Sequence, residues 1–374
     1  MPKSYTLTDD GLKILNCSNL REVEHVSFTS INPVAQALRE FLVSGPALVP
    51  GLAVAGVCLQ AQTFLNIYSP DAFYYTLHEA VPAIKAARPT CVSLTRAAGT
   101  VQRLIGDLVR ARIEPRECIR ALRALHDVLC EQIDHTEAMI RAVLDQTLPR
   151  EGALVVSGAL GSLHSVASGT LCAMLAARHN TGRGTPLVYS PVGQPLTENV
   201  HTVRELLTAG CPAQLTSDAG LPSVMLRSDV RAVCVLASCV CANGDVLAFS
   251  GAASAAVMAK ELGVPVYVVV YPYCFDASYA SGEEAPADPA GLPAYDTTIT
   301  PTVLEPDNDL LPCTWISGYV TAHGLIKSGA DLKPHMDTAD GVMLSALEAV
   351  QRRLRPAIYM DDNPRNGGGY LIGP

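Results

Sequence analysis

Two turns that follow short apolar runs carry the residues best suited to binding a ligand. The first is Ser157–Ser162, with the sequence SGALGS, between a Val-rich run and a helical stretch. Its glycines would let the backbone approach a ligand, and free N–H groups at a helix start suit phosphate. The pattern alone favours a simple strand–helix turn over a binding loop. No GK[ST] or GxGxxG spacing is present, so neither a P-loop nor a dinucleotide fingerprint is predicted.

The second turn lies within Leu236–Asp245 and follows another apolar run. Its dipeptide Asn243–Gly244 is typical of a tight turn, which is the simpler interpretation. Cys239 and Cys241 share a face if the chain is extended. Two thiols with no further Cys or His nearby make a poor zinc site, so no metal is predicted.

The nine histidines show no metal-ligand spacing of the HExxH kind. His126 and Cys130 lie one helical turn apart, as do Glu131 and His135. A solvated or hydrogen-bonded helical face is the favoured interpretation of both pairs. His164 follows the first glycine turn, and we expect it to pack or cap there.

The elements that must position these turns change character near residues 148–152. Short strands and turns are predicted up to Phe28, and apolar residues then recur at helical spacing. The first helix is expected to begin at Asn32, with Pro33 at its first helical position. The other predicted helices cover residues 48–65, 70–87, 92–112 and 115–148.

After residue 152, short apolar runs alternate with helical stretches. The predicted strands are 153–157, 186–189, 213–216, 232–236 and 264–271, and the predicted helices are 161–178, 198–209, 222–227 and 249–262. Continuous Val-rich runs are typical of strands buried on both faces, and their alternation with helices predicts a parallel sheet. We therefore expect an α/β protein. Residues 1–150 would form a mainly α-helical domain with a short β-hairpin, and residues 151–374 a Rossmann-like, doubly wound domain.

The end of the chain is less regular. Residues 277–309 are rich in Pro, Asp, Glu and Gly and predict a long loop. A last helix is expected over 338–354, followed by a short apolar piece at 357–360 and a flexible Gly-rich tail at 363–370.

Composition excludes several classes of function. Hydrophobic residues make up 49% of the chain and charged residues 17%, which indicates a core-rich globular protein. A formal net charge of -9 argues against a nucleic-acid or anionic-membrane partner. No signal peptide or membrane span is predicted, and the twelve cysteines form no CxxC pair. We expect a cytoplasmic protein with reduced thiols.

Taken in order, several segments resemble methylthioribose-1-phosphate isomerase, in the superfamily of the alpha, beta and delta subunits of translation initiation factor 2B. The segments are Leu12–Asn16, Ala37–Ala47, Ala87–Leu94, Gly161–Leu163, Ser168–Thr170, Cys241–Val246 and Asp309–Gly324. Their order and spacing make the resemblance specific over about residues 11–327. The N-terminal loops favour the isomerase branch.

This resemblance implies a homodimer that converts an aldose 1-phosphate to a ketose 1-phosphate without a metal or cofactor. The family uses a Cys and an Asp to move protons, and their positions match Gly158 and Ser238 here. Glycine has no side chain, and serine is a weak acid or base without an activating partner. Each lost general acid or base typically costs ~10²–10⁴ in rate.

The resemblance also implies which residues would bind the substrate: Ser44, Gly45, Arg88, Gly161, Glu198, Asn243, Gly244 and Asp245. Arg88 retains the family's phosphate-side Arg. Ser44 stands where the family has another Arg, Glu198 where it has a Gln, and Ala248–Phe249 where it has an Asn-Lys pair. A sugar phosphate would lose two cationic contacts and meet a negative charge at Glu198.

Three hypotheses follow. The chain is a pseudoenzyme that serves as a binding or assembly module, as a homodimer or in a hetero-oligomer with a paralogue. Alternatively it is an active isomerase that binds a sugar phosphate and uses a displaced thiol, either Cys239 or Cys172. The third hypothesis is a regulatory subunit of the initiation-factor type.

Overall fold

The computed structural model describes residues 4–9, 11–16, 24–66, 69–193, 196–285 and 308–359. None of the helices in this part of the chain has both the length and the apolar character needed to span a membrane.

The N-terminal part continues as the predicted bundle of helices, but it begins with a three-stranded antiparallel sheet where a short β-hairpin was predicted. Its three strands are β1 (Tyr5–Leu7), β2 (Leu12–Asn16) and β3 (Glu24–Phe28). Its helices are α1 (Ile31–Arg39), α2 (Val49–Phe64), α3 (Pro70–Lys85), α4 (Val92–Arg110) and α5 (Pro115–Thr147). Helix α2 is apolar on nearly all sides and is buried, whereas α5 turns one apolar face to the core.

Helix α1 begins earlier than predicted. Ser30 is its N-cap and Ile31 its first residue, so Pro33 is the third helical residue and not the first. Proline fits this position because the first turn of a helix has no internal partner for its N–H groups.

The C-terminal part alternates strands and helices. Its strands are β4 (Ala153–Ser157), β5 (Leu187–Pro191), β6 (Ala213–Thr216), β7 (Val230–Cys241), β8 (Val246–Phe249), β9 (Val266–Val269), β10 (Phe275–Asp276), β11 (Asn308–Leu311), β12 (Gly318–Thr321) and β13 (Gly324–Lys327). Its helices are α6 (Leu171–Asn180), α7 (Leu196–Thr208), α8 (Leu221–Arg227), α9 (Ala252–Leu262), α10 (Lys333–Asp337) and α11 (Gly341–Tyr359).

The main sheet has the order β13-β12-β9-β7-β4-β5-β6, and every neighbouring pair except β12–β13 is parallel. This confirms the predicted α/β fold with a parallel-dominated sheet. Strand β4 is fully buried along its length, which explains its continuous Val-rich run. The first helical part ends at Thr147 and β4 begins at Ala153. The division of the chain into domains near residue 150 stays a prediction.

Several predicted boundaries were wrong around the glycine turns. The helix expected from residue 161 begins at Leu171, and Ser162–His164 form only a 3-10 turn. The helix expected from Phe249 begins at Ala252, because Gly251 adopts a left-handed φ of 97° that ends the preceding strand. Phe249 is therefore the last residue of a strand.

Strand β7 also continues five residues past the predicted end at Leu236. Its extension pairs antiparallel with β8 on one side and parallel with the short strand β10 on the other, beyond the pairing with β4 and β9. The predicted loop over 277–309 contains the first residues of β11, and its stretch 286–307 lies outside the described residues. The last helix continues to Tyr359 through the predicted apolar piece, and the predicted flexible tail lies outside the described residues.

Candidate functional site

The two positions that match the family's proton-transfer residues lie at the same edge of the main sheet. Strands β4 and β7 pair as far as Ser157 and Val235, and Gly158 follows directly. Ser238 lies three residues beyond Val235, where the register between β7 and β8 shifts between Ala237 and Cys239. Such a shift is typical of a bulge, which bends a strand next to a site. Ligands of parallel α/β sheets bind at this carboxyl edge.

The backbone at Gly158 is held in a conformation that only glycine adopts easily. Its φ is 112°, and a Cβ at this position would lie 2.8 Å from the Cβ of Leu236. Its N–H donates to Asn199 Oδ1 at 2.8 Å, and its carbonyl accepts from Thr202 Oγ1 at 3.3 Å. Both partners lie on α7. A thiol at position 158 would need the backbone or Leu236 to move.

In the first glycine turn a carboxylate of the chain already accepts a hydrogen bond from an N–H group that an anion could use. The Ser162 N–H donates to Glu205 Oε2 at 2.8 Å. A Cβ on Gly161 would lie 2.6 Å from the same oxygen. Burial raises the pKa of Glu205 although the bonds from Ser162 and Leu163 oppose the shift. Gly161, a predicted binding residue, therefore makes room for Glu205.

The start of α9 has the same arrangement. Asp309 Oδ2 accepts the Ala253 N–H at 2.8 Å at the first turn of the helix. Burial raises the pKa of Asp309, and the helix N–H groups oppose that shift. The positive end of the helix is thus compensated by an acidic side chain of the chain itself.

Arg88, the retained cationic residue, is enclosed by aromatic rings. Its guanidinium carbon lies 4.0 Å from the ring centroid of Phe41 and 5.8 Å from that of Phe249. The two rings meet edge to face with centroids 6.3 Å apart. Arg88 is 8% exposed and Phe249 is 4% exposed. The Arg88 guanidinium therefore makes a cation–π contact with Phe41, and Phe249 lies close beside both groups.

Glu198 lies buried at the first turn of α7, where its carboxyl group is shielded from water. Burial raises its pKa to about 8, although Ser44 and the positive charge of Arg88 oppose the shift. Neither carboxyl oxygen has a partner that meets the distance and angle of a hydrogen bond in the described part of the chain, so the effect of Ser44 is that of a nearby hydroxyl and not of a well-formed bond. A carboxyl with this pKa is mainly protonated at neutral pH. A protonated Glu198 would not repel an anion, so the repulsion expected from the sequence stays a prediction.

Ser44 and Gly45 reach the same region from the loop between α1 and α2. Ser44 Oγ lies 3.4 Å from His164 Nδ1, and a Cβ on Gly45 would lie 3.0 Å from the His164 carbonyl. Burial lowers the pKa of His164 to about 3, with a further contribution from His201. His164 is thus a neutral, packed histidine, as its sequence context favoured.

The predicted binding residues Asn243, Gly244 and Asp245 form a structural turn. Asp245 Oδ1 accepts the Cys313 N–H at 2.9 Å, and its other oxygen accepts from Asn243 at 2.7 Å and from Gly282 N–H at 3.2 Å. Burial alone would raise the pKa of Asp245, and these bonds lower it. The turn follows the extension of β7, which ends at Cys241, about 10 Å along the strand from Ser238. The structure therefore uses these three residues to join loops.

Replacing Tyr319 with Phe should weaken this turn. The Tyr319 hydroxyl donates to the Gly244 carbonyl at 2.6 Å in a buried position. Losing it leaves the carbonyl unsatisfied and should lower the free energy of unfolding by about 1–2 kcal/mol. Urea unfolding checks this, with Tyr267→Phe on the neighbouring strand β9 as the control. Equal midpoints for the two variants would contradict the role given to Tyr319.

The two thiols proposed as replacements, Cys172 and Cys239, are buried and have raised pKa values. Cys172 is 2% exposed and burial raises its pKa well above the usual range. Cys239 packs with Cys241, Val92 and Leu247 in a small apolar cluster, and its pKa is raised by Cys241 and by burial. Buried thiols with raised pKa values are poor nucleophiles and poor acid–base groups.

Sequence reasoning missed the side chains that fill the site. Glu205 and Asp309 cap its N–H groups, Asn199 orients Gly158, and Phe41 stacks on Arg88. The spacing of Asn199, Thr202 and Glu205 on one face of α7 was the available signal, since residues three and four apart share a face.

Comparison with known proteins places this geometry in context. A family model described as "Initiation factor 2 subunit family" matches residues 54–328. The chain is 28% identical over 341 residues to the methylthioribose-1-phosphate isomerase of Pelotomaculum thermopropionicum, covering 87% of this chain and 91% of that protein. It is 27% identical over 338 residues to the methylthioribose-1-phosphate isomerase of Trichlorobacter lovleyi, covering 85% of this chain and 94% of that one.

Two solved structures share the fold. The 5-methylthioribose 1-phosphate isomerase of Pyrococcus horikoshii superposes with a TM-score of 0.77 at 22% identity, covering 91% of this chain and 96% of that one. Translation initiation factor eIF-2B subunit delta from A. fulgidus superposes with a TM-score of 0.72 at 19% identity, covering 91% of this chain and 100% of that one. The same fold thus occurs in a protein named as an isomerase and in one named as an initiation-factor subunit.

Proposed function

Since the chain belongs to the initiation factor 2 subunit family, we propose that it is a methylthioribose-1-phosphate isomerase-like protein that has lost isomerase catalysis and serves as a binding or assembly module. The observation that carries this proposal is the edge formed by β4 and β7. Gly158 and Ser238 stand at the positions that the resemblance gives to the proton-transfer pair, and the backbone at Gly158 has no space for a side chain.

The binding half of the site supports the same proposal. A sugar phosphate needs cations and free N–H groups. Arg88 here contacts the rings of Phe41 and Phe249, and acidic side chains accept hydrogen bonds from N–H groups of the glycine turn and of α9. A phosphate that entered would have to displace Glu205 or Asp309 and would meet like charge if either is ionised.

Assembly is the function that remains for such a scaffold. A structure described as the tetrameric eIF2B-beta2-delta2 complex from C. thermophilum shares the fold with a TM-score of 0.54 at 17% identity, covering 84% of this chain. We infer that this chain forms a homodimer or pairs with a paralogue, as an initiation-factor-type subunit does. A cytoplasmic location fits this role and stays a prediction.

The proposal is tested by binding and mass measurements on the purified chain. A ligand that binds only the folded state raises the melting temperature when it is well above its dissociation constant. We expect no rise with methylthioribose 1-phosphate or inorganic phosphate, and a mass by light scattering of at least two chains. A rise of several degrees with the sugar phosphate, or a monomer at all concentrations, would contradict the proposal.

An active isomerase is the second candidate, and Glu198 is the observation that favours it. A carboxyl with a pKa of about 8 next to the family's retained Arg can hold and release a proton near neutral pH. In that case Glu198→Gln would abolish turnover. Under the first proposal there is no turnover for this change to remove.

A further inference from the structure

A cavity of about 540 Å³ lies between β1 and α5, away from the site described above, and is lined by polar and nucleophilic side chains. Residues of β1, the turn of Ser165 and Val166, and one face of α5 form its walls. It contains Cys130 together with His126, Asp127 and Tyr5. The proposed function uses none of these residues.

The four side chains form a connected cluster. Cys130 Sγ lies 3.6 Å from His126 Nε2, and the Tyr5 hydroxyl lies 2.8 Å from the same nitrogen and 3.4 Å from the sulfur. On the other side of the ring, His126 Nδ1 lies 2.9 Å from Asp127 Oδ1. A nucleophile, a base and a group that orients the base are thus in contact.

The Asp127 carboxylate determines which nitrogen of His126 can act as a base. It can only accept a hydrogen bond when ionised, so Nδ1 carries the proton in neutral His126 and Nε2 is left to accept. Burial raises the pKa of Tyr5 well above its usual range, so the phenol keeps its proton. Nε2 can therefore take the Cys130 proton directly or through the Tyr5 hydroxyl.

A glycine on α2 provides the space for this cluster. A Cβ on Gly51 would collide with the Tyr5 hydroxyl and would lie 3.1 Å from Cys130 Sγ. Gly51 lies inside a helix, where glycine is less favourable than alanine by roughly 0.5–1 kcal/mol. The close approach of the hydroxyl and the sulfur gives a physical reason for glycine at this position.

Two members of the cluster are partly exposed to solvent. Cys130 is partly exposed, and the His126 side chain is 15% exposed. Arg123 lines the same cavity and pairs with Asp9.

We propose that Cys130 is the nucleophile of a second site, activated by His126 with Tyr5 and oriented by Asp127, and that it reacts with small hydroperoxides. The Cys130 thiolate attacks the distal oxygen of the peroxide, and the O–O bond breaks as the S–O bond forms. The sulfur is oxidised to a sulfenic acid and the peroxide is reduced to an alcohol or water. The leaving oxygen takes the proton that His126 received from the thiol.

Competitive labelling of the unmodified chain tests this directly. The chain is treated with limiting hydrogen peroxide and then dimedone, or with limiting iodoacetamide, and each cysteine is quantified by mass spectrometry. Cys91 and Cys313 are also partly exposed and serve as internal controls. We expect Cys130 to react about tenfold faster than either control with both reagents. Equal rates for the three thiols would overturn the proposal.

Variants then show whether Cys130 reacts because His126 activates its thiol or only because the thiol is exposed. His126→Asn should slow the reaction of Cys130 by about tenfold or more and leave Cys91 unchanged. Asp127 is 71% exposed in its side chain, so Asp127→Asn should slow Cys130 without lowering the melting temperature, and Asp127→Glu should restore the rate. Gly51→Ala should also slow Cys130. If His126→Asn reacts as fast as the wild type, the thiol is merely exposed and the proposal is wrong.

Discussion

Replacing Glu198 with Gln is expected to raise the free energy of unfolding by up to about 4 kcal/mol at pH 8 and to change it little near pH 4.5. The buried carboxyl has a folded pKa of about 8 against an ordinary value of 4.5. Glutamine has nearly the same shape and no proton to lose. It is also the residue that the resemblance places at this position.

The sign follows from proton binding. Between pH 4.5 and pH 8 the folded chain keeps the Glu198 proton and the unfolded chain loses it, so rising pH favours unfolding. Stability contributed by the protonated group is fully present below pH 4.5 and is lost progressively up to about pH 8. The Gln variant lacks this slope.

Urea unfolding at a series of pH values measures the effect. Glu261→Gln, on the exposed face of α9, is the matched control because it removes a carboxyl that water already solvates. Parallel pH profiles for the wild type and Glu198→Gln would mean that Glu198 is ionised in the folded chain. Arg88 would then be its salt-bridge partner, and the raised pKa assigned to Glu198 would be wrong.

Adding a side chain at Gly158 should be costly even when the side chain is the thiol of the family. Gly158→Ala is expected to lower the free energy of unfolding by about 2–4 kcal/mol, since it combines a left-handed φ of 112° with a Cβ crowded against Leu236. Gly158→Cys should cost at least as much and should not restore turnover.

The variant Gly324→Ala separates the cost of the positive φ from the cost of crowding against Leu236. Gly324 has a φ of 125° in the β12–β13 hairpin, and a Cβ there would meet nothing within 4 Å. Gly324→Ala should therefore cost only about 1 kcal/mol, the part that comes from the backbone. Thermal or urea unfolding of the two alanine variants checks the difference. An equal loss in both would show that Leu236 does not crowd position 158.

The parallel sheet and the helical first part could be predicted because their signals are local. Val-rich runs such as Ala153–Ser157 are buried on both faces, and α5 keeps an apolar face along its length. The predicted helix boundaries were wrong where the backbone conformation depends on a partner far along the chain. The helix expected from residue 161 begins ten residues later, and Ser162 N–H is bonded to Glu205, which is 43 residues away.

The sequence predicted where the site residues lie, but not their charge or their contacts. Gly158 and Ser238 are brought to one edge, as strand order requires, and Glu198, Ser44 and Arg88 lie near one another. The charge at Glu198 could not be predicted, because the pKa of a carboxyl depends on burial that the sequence does not display. The aromatic cover of Arg88 was missed for the same reason, since Phe41 and Phe249 are 208 positions apart in the numbering of the chain.

Turnover of methylthioribose 1-phosphate by the purified chain, followed by NMR beside the isomerase of Pelotomaculum thermopropionicum, tests the central claim most directly. Two missing proton-transfer groups should reduce the rate by ~10⁴ or more, so we expect no ketose product above the uncatalysed background. A kcat within about tenfold of the bacterial enzyme would contradict the loss of catalysis and would place the proton transfer on residues such as Glu198.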